Sequence, residues 1–130
     1  MRAALDTNVL AYAEGLNGPE KQRTGRDLVA RLAADEVLLP VQALGELYAV
    51  LTRKAGRTPE QARAAVESWR AAYDAIPTTA AVLQDALEIA SQHRLGVWDS
   101  VIVAAASRAG CGILNPFGPA GAPAQRRIGP

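Results

Sequence analysis

The feature that most constrains the fold is an alternation of very short apolar runs with longer helical patterns. Residues 2–5 form a short apolar run ending at Asp6, and Asn8 onward can open a helix. Pro19 begins a helical pattern carrying Leu28, Val29 and Leu32 that stops near Asp35, and residues 36–39 make a brief buried strand closed by Pro40. A helix is expected over residues 41–55, with Val41, Leu44, Leu47, Tyr48 and Leu51 on one stripe and Gly56 ending it. Thr58-Pro59-Glu60-Gln61 has the N-cap, the N1 proline and the N3 glutamine of a capping box. Behind it, Glu60, Arg63, Glu67, Arg70 and Asp74 recur at three- and four-residue spacing and predict a solvated salt-bridge ladder. Ile76-Pro77 reads as an edge strand, Thr79 as the cap of a helix reaching His93, residues 98–108 as a small-residue helix and residues 111–114 as the next strand. The expected fold class is therefore α/β, a mainly parallel sheet flanked by helices.

The composition changes after Leu114. Residues 115–130 hold four Pro and three Gly and no carboxylate side chain, so the expected organisation is one domain over residues 1–114 followed by an irregular tail over residues 115–130. At 130 residues the chain has room for one core. Fourteen Lys and Arg against thirteen Asp and Glu exclude a global field that would hold a polyanion, so such a partner needs a local site. No apolar run approaches a membrane span, and the single Cys111 and the early Asp6 point to a cytoplasmic chain without a membrane role.

Several chemistries are absent. There is no phosphate-binding loop of the G-x-x-x-x-G-K-[ST] type, Asp6-Thr7-Asn8 lacks the second Asp of an aspartyl-phosphate phosphatase, and the last lysine, Lys54, comes too early for a receiver domain. One histidine, His93, cannot make a zinc site with one cysteine, and Cys111 reads as buried packing. The carboxylates remain. Asp6, at the C-terminal end of the first strand, is placed where open parallel sheets bind ligands, yet Asp6-Thr7-Asn8 also reads as a helix cap. Asp99 reads equally as an acid in the first turn of a helix, and Glu46 lies on a half-apolar face that periodicity leaves undecided.

Three segments combine these carboxylates. Leu5 to Tyr12 (LDTNVLAY), Ala43 to Arg53 (ALGELYAVLTR) and Trp98 to Cys111 (WDSVIVAAASRAGC) together resemble the PIN-domain nucleases, in particular the VapC-type toxins of bacterial toxin-antitoxin pairs. The resemblance implies a three-layer PIN-like fold and a metal-dependent endoribonuclease, with Asp6, Glu46 and Asp99 as ligands of Mg²⁺ or Mn²⁺. It also implies that Thr7 and Asn8 orient those ligands, and that the partners are RNA, a cognate antitoxin and a second copy of the chain. Arg53, Lys54 and Arg57 are the nearest basic cluster, read either as RNA contacts or as a solvated helix end. The ending departs from the family. No acid follows Asp99, so the family's fourth carboxylate has no counterpart, although Asn115-Pro116-Phe117 resembles its closing V-N-P-F. This departure implies an alternative, a weak or inactive PIN remnant acting as an antitoxin-binding or dimerisation module.

Overall fold

A computed structural model describes residues 2–114 together with the backbone of residues 125–126. Its sheet has the order β3-β2-β1-β4-β5, with β1 spanning Ala3–Leu5, β2 Val37–Pro40, β3 Asp74–Ile76, β4 Gly112–Leu114 and β5 Gln125–Arg126. The pairs β1·β2, β1·β4 and β2·β3 are parallel, whereas β4·β5 is antiparallel. The inner strands β1, β2 and β4 are buried at every residue, as a parallel sheet covered on its faces requires. β3 is an edge and exposes Asp74 and Ala75.

The helices follow from local chemistry. Asp6 caps α1 (Thr7–Ala13), Pro19 opens α2 (Pro19–Ala30) at N1, and α3 (Val41–Arg53) starts directly behind Pro40. The predicted capping box opens α4 (Pro59–Ala72), where Thr58 Oγ1 accepts from the Gln61 N–H and Gln61 Oε1 accepts from the Thr58 N–H. Thr79 caps α5 (Ala80–His93), and α6 (Val97–Arg108) returns to β4 through Ala109, Gly110 and Cys111. The chain leaves β1 toward β2 and β3, then comes back to β4 on the other side of β1. The switch point thus lies between β1 and β4, beside Asp6.

The core lies between sheet and helices. Leu5, Leu10, Leu39, Leu47 and Leu51 are fully buried, each contributing about 1.5–3 kcal/mol of transfer free energy. Ala104, Ala105 and Ala106 are buried in α6, the small residues that let this helix lie close to its neighbours.

Some expectations need correction. The stripe on α3 is rotated: Ala43, Leu44, Leu47 and Leu51 are buried, while Val41 and Tyr48 are exposed because they face the open groove beside α4. The charge ladder on α4 reduces, among the described residues, to one pair, Arg70 with Glu67 at 3.1 Å. Asp74 is not on that helix, because Tyr73 is already extended and hands the chain to β3. Within the tail expected to be irregular, Gln125–Arg126 pair with Leu114 and Ile113 as β5, since β4 would otherwise be an open edge. The rest of that expectation, with Asn115-Pro116-Phe117, lies outside the described residues.

Candidate active site

The site is built at the carboxyl edge of β1. Asp6 follows the strand's last residue with extended backbone (φ −84°, ψ 173°), and its Oδ1 accepts from the Val9 N–H at 3.2 Å. The capping reading and the site reading thus meet in one side chain, because a carboxylate has more lone pairs than one N–H uses. Thr7, the first residue of α1, donates its hydroxyl to Glu46 Oε2 at 2.6 Å. That short, charge-assisted bond turns the half-buried Glu46, in the second turn of α3, toward α1 rather than to solvent. Asn8 is exposed, and its side chain makes no hydrogen bond among the described residues.

Asp99 reaches the same edge by topology. Because α6 ends a short turn before β4, it runs antiparallel to the strands and starts where they finish. Asp99 is exposed in its first turn. The Asp6 carboxyl is pushed up from its ordinary 3.8 to about 6, mainly by burial, with the negative charges of Asp99 and Glu46 adding to the effect and the Val9 and Asn8 N–H groups opposing it.

The structure therefore joins Thr7 to Glu46 by a hydrogen bond, sets Asp6 one residue before Thr7, and leaves Asp99 acting on Asp6 only through its charge. Among the described residues no three His, Cys, Asp or Glu side chains stand close enough to form a ready-made cation cage. The donor set nevertheless suits a hard divalent ion. Mg²⁺ keeps several waters and takes one or two carboxylates plus phosphate oxygens, and a buried acid held near two others is relieved by positive charge.

The basic cluster divides. Arg53 and Lys54 are exposed, but Arg57 donates to Glu14 Oε1 at 2.7 Å and to the Glu14 carbonyl at 2.6 Å, so it is committed to holding α1 against the start of α4. Trp69 completes that knot by donating Nε1 to Glu14 Oε2 at 2.8 Å. His93 is exposed at the end of α5, and Cys111 is buried with its thiol on the Ala106 carbonyl, as expected of both. Sequence reasoning missed Ser100, the one fully buried polar side chain among the described residues, whose hydroxyl donates to the Gly96 carbonyl at 2.9 Å and ties down the turn carrying Asp99. Its signal, a serine four residues after a helix-opening glycine, is too common to stand out.

An open, mainly parallel sheet flanked by helices, with Asp6 at its switch point, defines an α/β protein. The sequence matches the PIN domain family over residues 3–118, and the chain belongs to that family. No curated protein sequence matches it. Among solved structures it is similar to the Mycobacterium tuberculosis toxin VapC20, described as cleaving the sarcin-ricin loop, with 20% identity, 84% of each chain covered and a TM-score of 0.71. A toxin-antitoxin complex from Klebsiella pneumoniae matches with 16% identity over 94% of this chain and 93% of that one, at a TM-score of 0.68. DNA-bound VapBC from Salmonella typhimurium matches with 20% identity over 90% and 89%, at 0.62. At these identities the likeness establishes the fold.

Proposed function

We propose that the protein is a metal-dependent endoribonuclease, the toxin of a toxin-antitoxin pair. The observation that carries the reading is the raised Asp6 carboxyl beside Glu46 and Asp99, a concentration of negative charge that a cation and a phosphate would complete. Asp6, Glu46 and Asp99 would hold Mg²⁺ or Mn²⁺, directly or through water. When bound, the ion supplies charge for the scissile phosphate and a water of lowered pKa. The protein's own part is positional. Thr7 fixes the Glu46 carboxylate, the α1 cap fixes Asp6, and Ser100 fixes the turn that presents Asp99. Arg53 and Lys54 are the remaining cations proposed to meet the RNA backbone.

The partners proposed with this reading are a cognate antitoxin and a second copy of the chain, supported by the toxin-antitoxin complexes among similar structures and by exposed Leu83 and Leu87 on α5. A cytoplasmic location goes with it; among the described residues no helix is long and apolar enough to cross a membrane.

A second reading, an inactive PIN remnant that only binds antitoxin or dimerises, is favoured by one observation: no acid follows Asp99 in the sequence. Thermal unfolding with added Mg²⁺ or Mn²⁺ tests the metal site. Ligand linkage predicts about 2.7 kcal/mol of stabilisation at one hundred times the dissociation constant, abolished by Asp6→Asn. No shift in the natural chain would overturn the metal assignment.

A further inference from the structure

Trp98 stands directly before Asp99 in the first turn of α6 and is 56% exposed, more than any other large apolar side chain among the described residues. The helix buries Ser100, Val101, Ile102, Ala104, Ala105 and Ala106, so its indole lies on the open side together with Asp99. The corner leading into the helix is exposed as well. Leu95 is 42% exposed, His93 ends α5, and Arg94 follows in the left-handed conformation (φ 54°) with no ion pair or hydrogen bond among the described residues. An exposed indole, an exposed guanidinium and an exposed carboxylate thus fall within six residues at the corner that opens α6.

We propose that Trp98 is the base-stacking residue of this site, receiving the nucleobase next to the phosphate held at Asp99, with Arg94 facing the neighbouring phosphate of a single-stranded RNA. The proposal rests on the nuclease reading and deepens it by naming the side chain that takes up the base beside the held phosphate. Single-strand binders combine an aromatic platform with cations along the backbone, because every base has a π face and every linkage a negative charge. Charge complementarity favours this occupant over a protein. An apolar protein surface covering Trp98 would also have to dehydrate Arg94 and Asp99, whereas a nucleotide offers a face to the first, an anion to the second and a cation-bridged phosphate to the third. Exposure also sets Trp98 apart from Trp69, which is half-buried and committed to Glu14. Replacing Trp98 removes no core contact.

The test uses the full chain in an Asp6→Asn background in EDTA, where neither cleavage nor a cation bridge at Asp99 contributes, so that binding reports the Trp98 and Arg94 contacts alone and a failure to bind the oligoadenylate overturns the proposal. Binding is read from the anisotropy of a fluorescein-labelled single-stranded oligoadenylate and of a labelled abasic oligomer of equal length, with Trp98 emission as a second readout in the protein that keeps it. The expected result is quenching by the oligoadenylate, about tenfold weaker binding on adding Trp98→Ala, recovery to within about threefold with Trp98→Phe, and weak binding of the abasic oligomer that is indifferent to residue 98. In the chain with Asp6 intact, Trp98→Ala is expected to raise KM by about the same factor with the metal-induced melting shift unchanged. Equal binding by the Trp98→Ala protein, or equal binding of the abasic oligomer, overturns the proposal. So does a Trp98 emission that shifts to the blue with protein concentration alone, which would place a second copy over it. Failure of the nuclease reading is recognised separately, by the absence of both cleavage and a metal-induced shift in the natural chain.

Discussion

Replacing Asp6 by Asn is expected to make the metal-free protein more stable near neutral pH, although Asp6 caps α1. The magnitude follows from the burial of its charge. A carboxyl moved from 3.8 to about 6 corresponds to about 3 kcal/mol of differential interaction between its two protonation states. Asparagine caps a helix about as well as aspartate, so the Val9 N–H keeps its acceptor; the loss of a negative charge at the helix start costs about 0.3–1 kcal/mol. A net gain of about 2 kcal/mol is left at pH 7.5. The sign fixes the pH dependence. The folded state binds this proton more tightly than the unfolded chain, so the natural protein loses stability as pH rises from about 4 to about 6 and gains nothing back above it. The assay is urea unfolding in EDTA at pH 4 and pH 7.5. The variant should match the natural chain at the lower pH and exceed it at the higher one. A variant that is less stable at pH 7.5, or equally shifted at both, would refute the reasoning that the site is strained by its own charge.

Thr7→Val leaves the half-buried Glu46 carboxylate without its 2.6 Å donor; urea unfolding should show a loss of about 1–2 kcal/mol, and RNA cleavage should fall about tenfold, with Thr7→Ser restoring both. Gly25→Ala should destabilise by about 1–2 kcal/mol despite alanine's better helix propensity, because the new Cβ would meet the backbone of α1 at 3.1 Å (Ala13 N) and 3.3 Å (Val9 O); calorimetry reads the sign. Burial pushes the Cys111 thiol up, so iodoacetamide at pH 8 should label the protein only after unfolding.

The legible parts of the fold were those governed by local chemistry. Pro19, Thr58 with Gln61, and Thr79 mark helix starts that depend on a few neighbouring atoms, and the structure places helices there. The stripe on α3 was less legible, since five apolar residues satisfy the period but only tertiary packing decides that Val41 and Tyr48 stay outside. Arg57 shows the same limit. Three basic residues within five positions read as one surface, and only the approach of Glu14, forty-three positions away, separates Arg57 from Arg53 and Lys54. Glu46 could not be assigned from periodicity, because its orientation comes from Thr7 across thirty-nine residues of chain. The strand β5 was hidden because its two residues pair through backbone alone, within a segment whose composition favours irregular structure.

The carboxylate site is tested by cleavage of single-stranded RNA by the purified chain in Mn²⁺, compared with the same chain carrying Asp99→Asn and with an EDTA control. Cleavage should require the metal and fall by about a hundredfold or more in the variant, since the substitution removes one of the three acids proposed to hold the ion. Cleavage at an unchanged rate in Asp99→Asn would contradict the carboxylate site, and no cleavage by the natural chain under any divalent cation would leave the inactive remnant as the reading that stands.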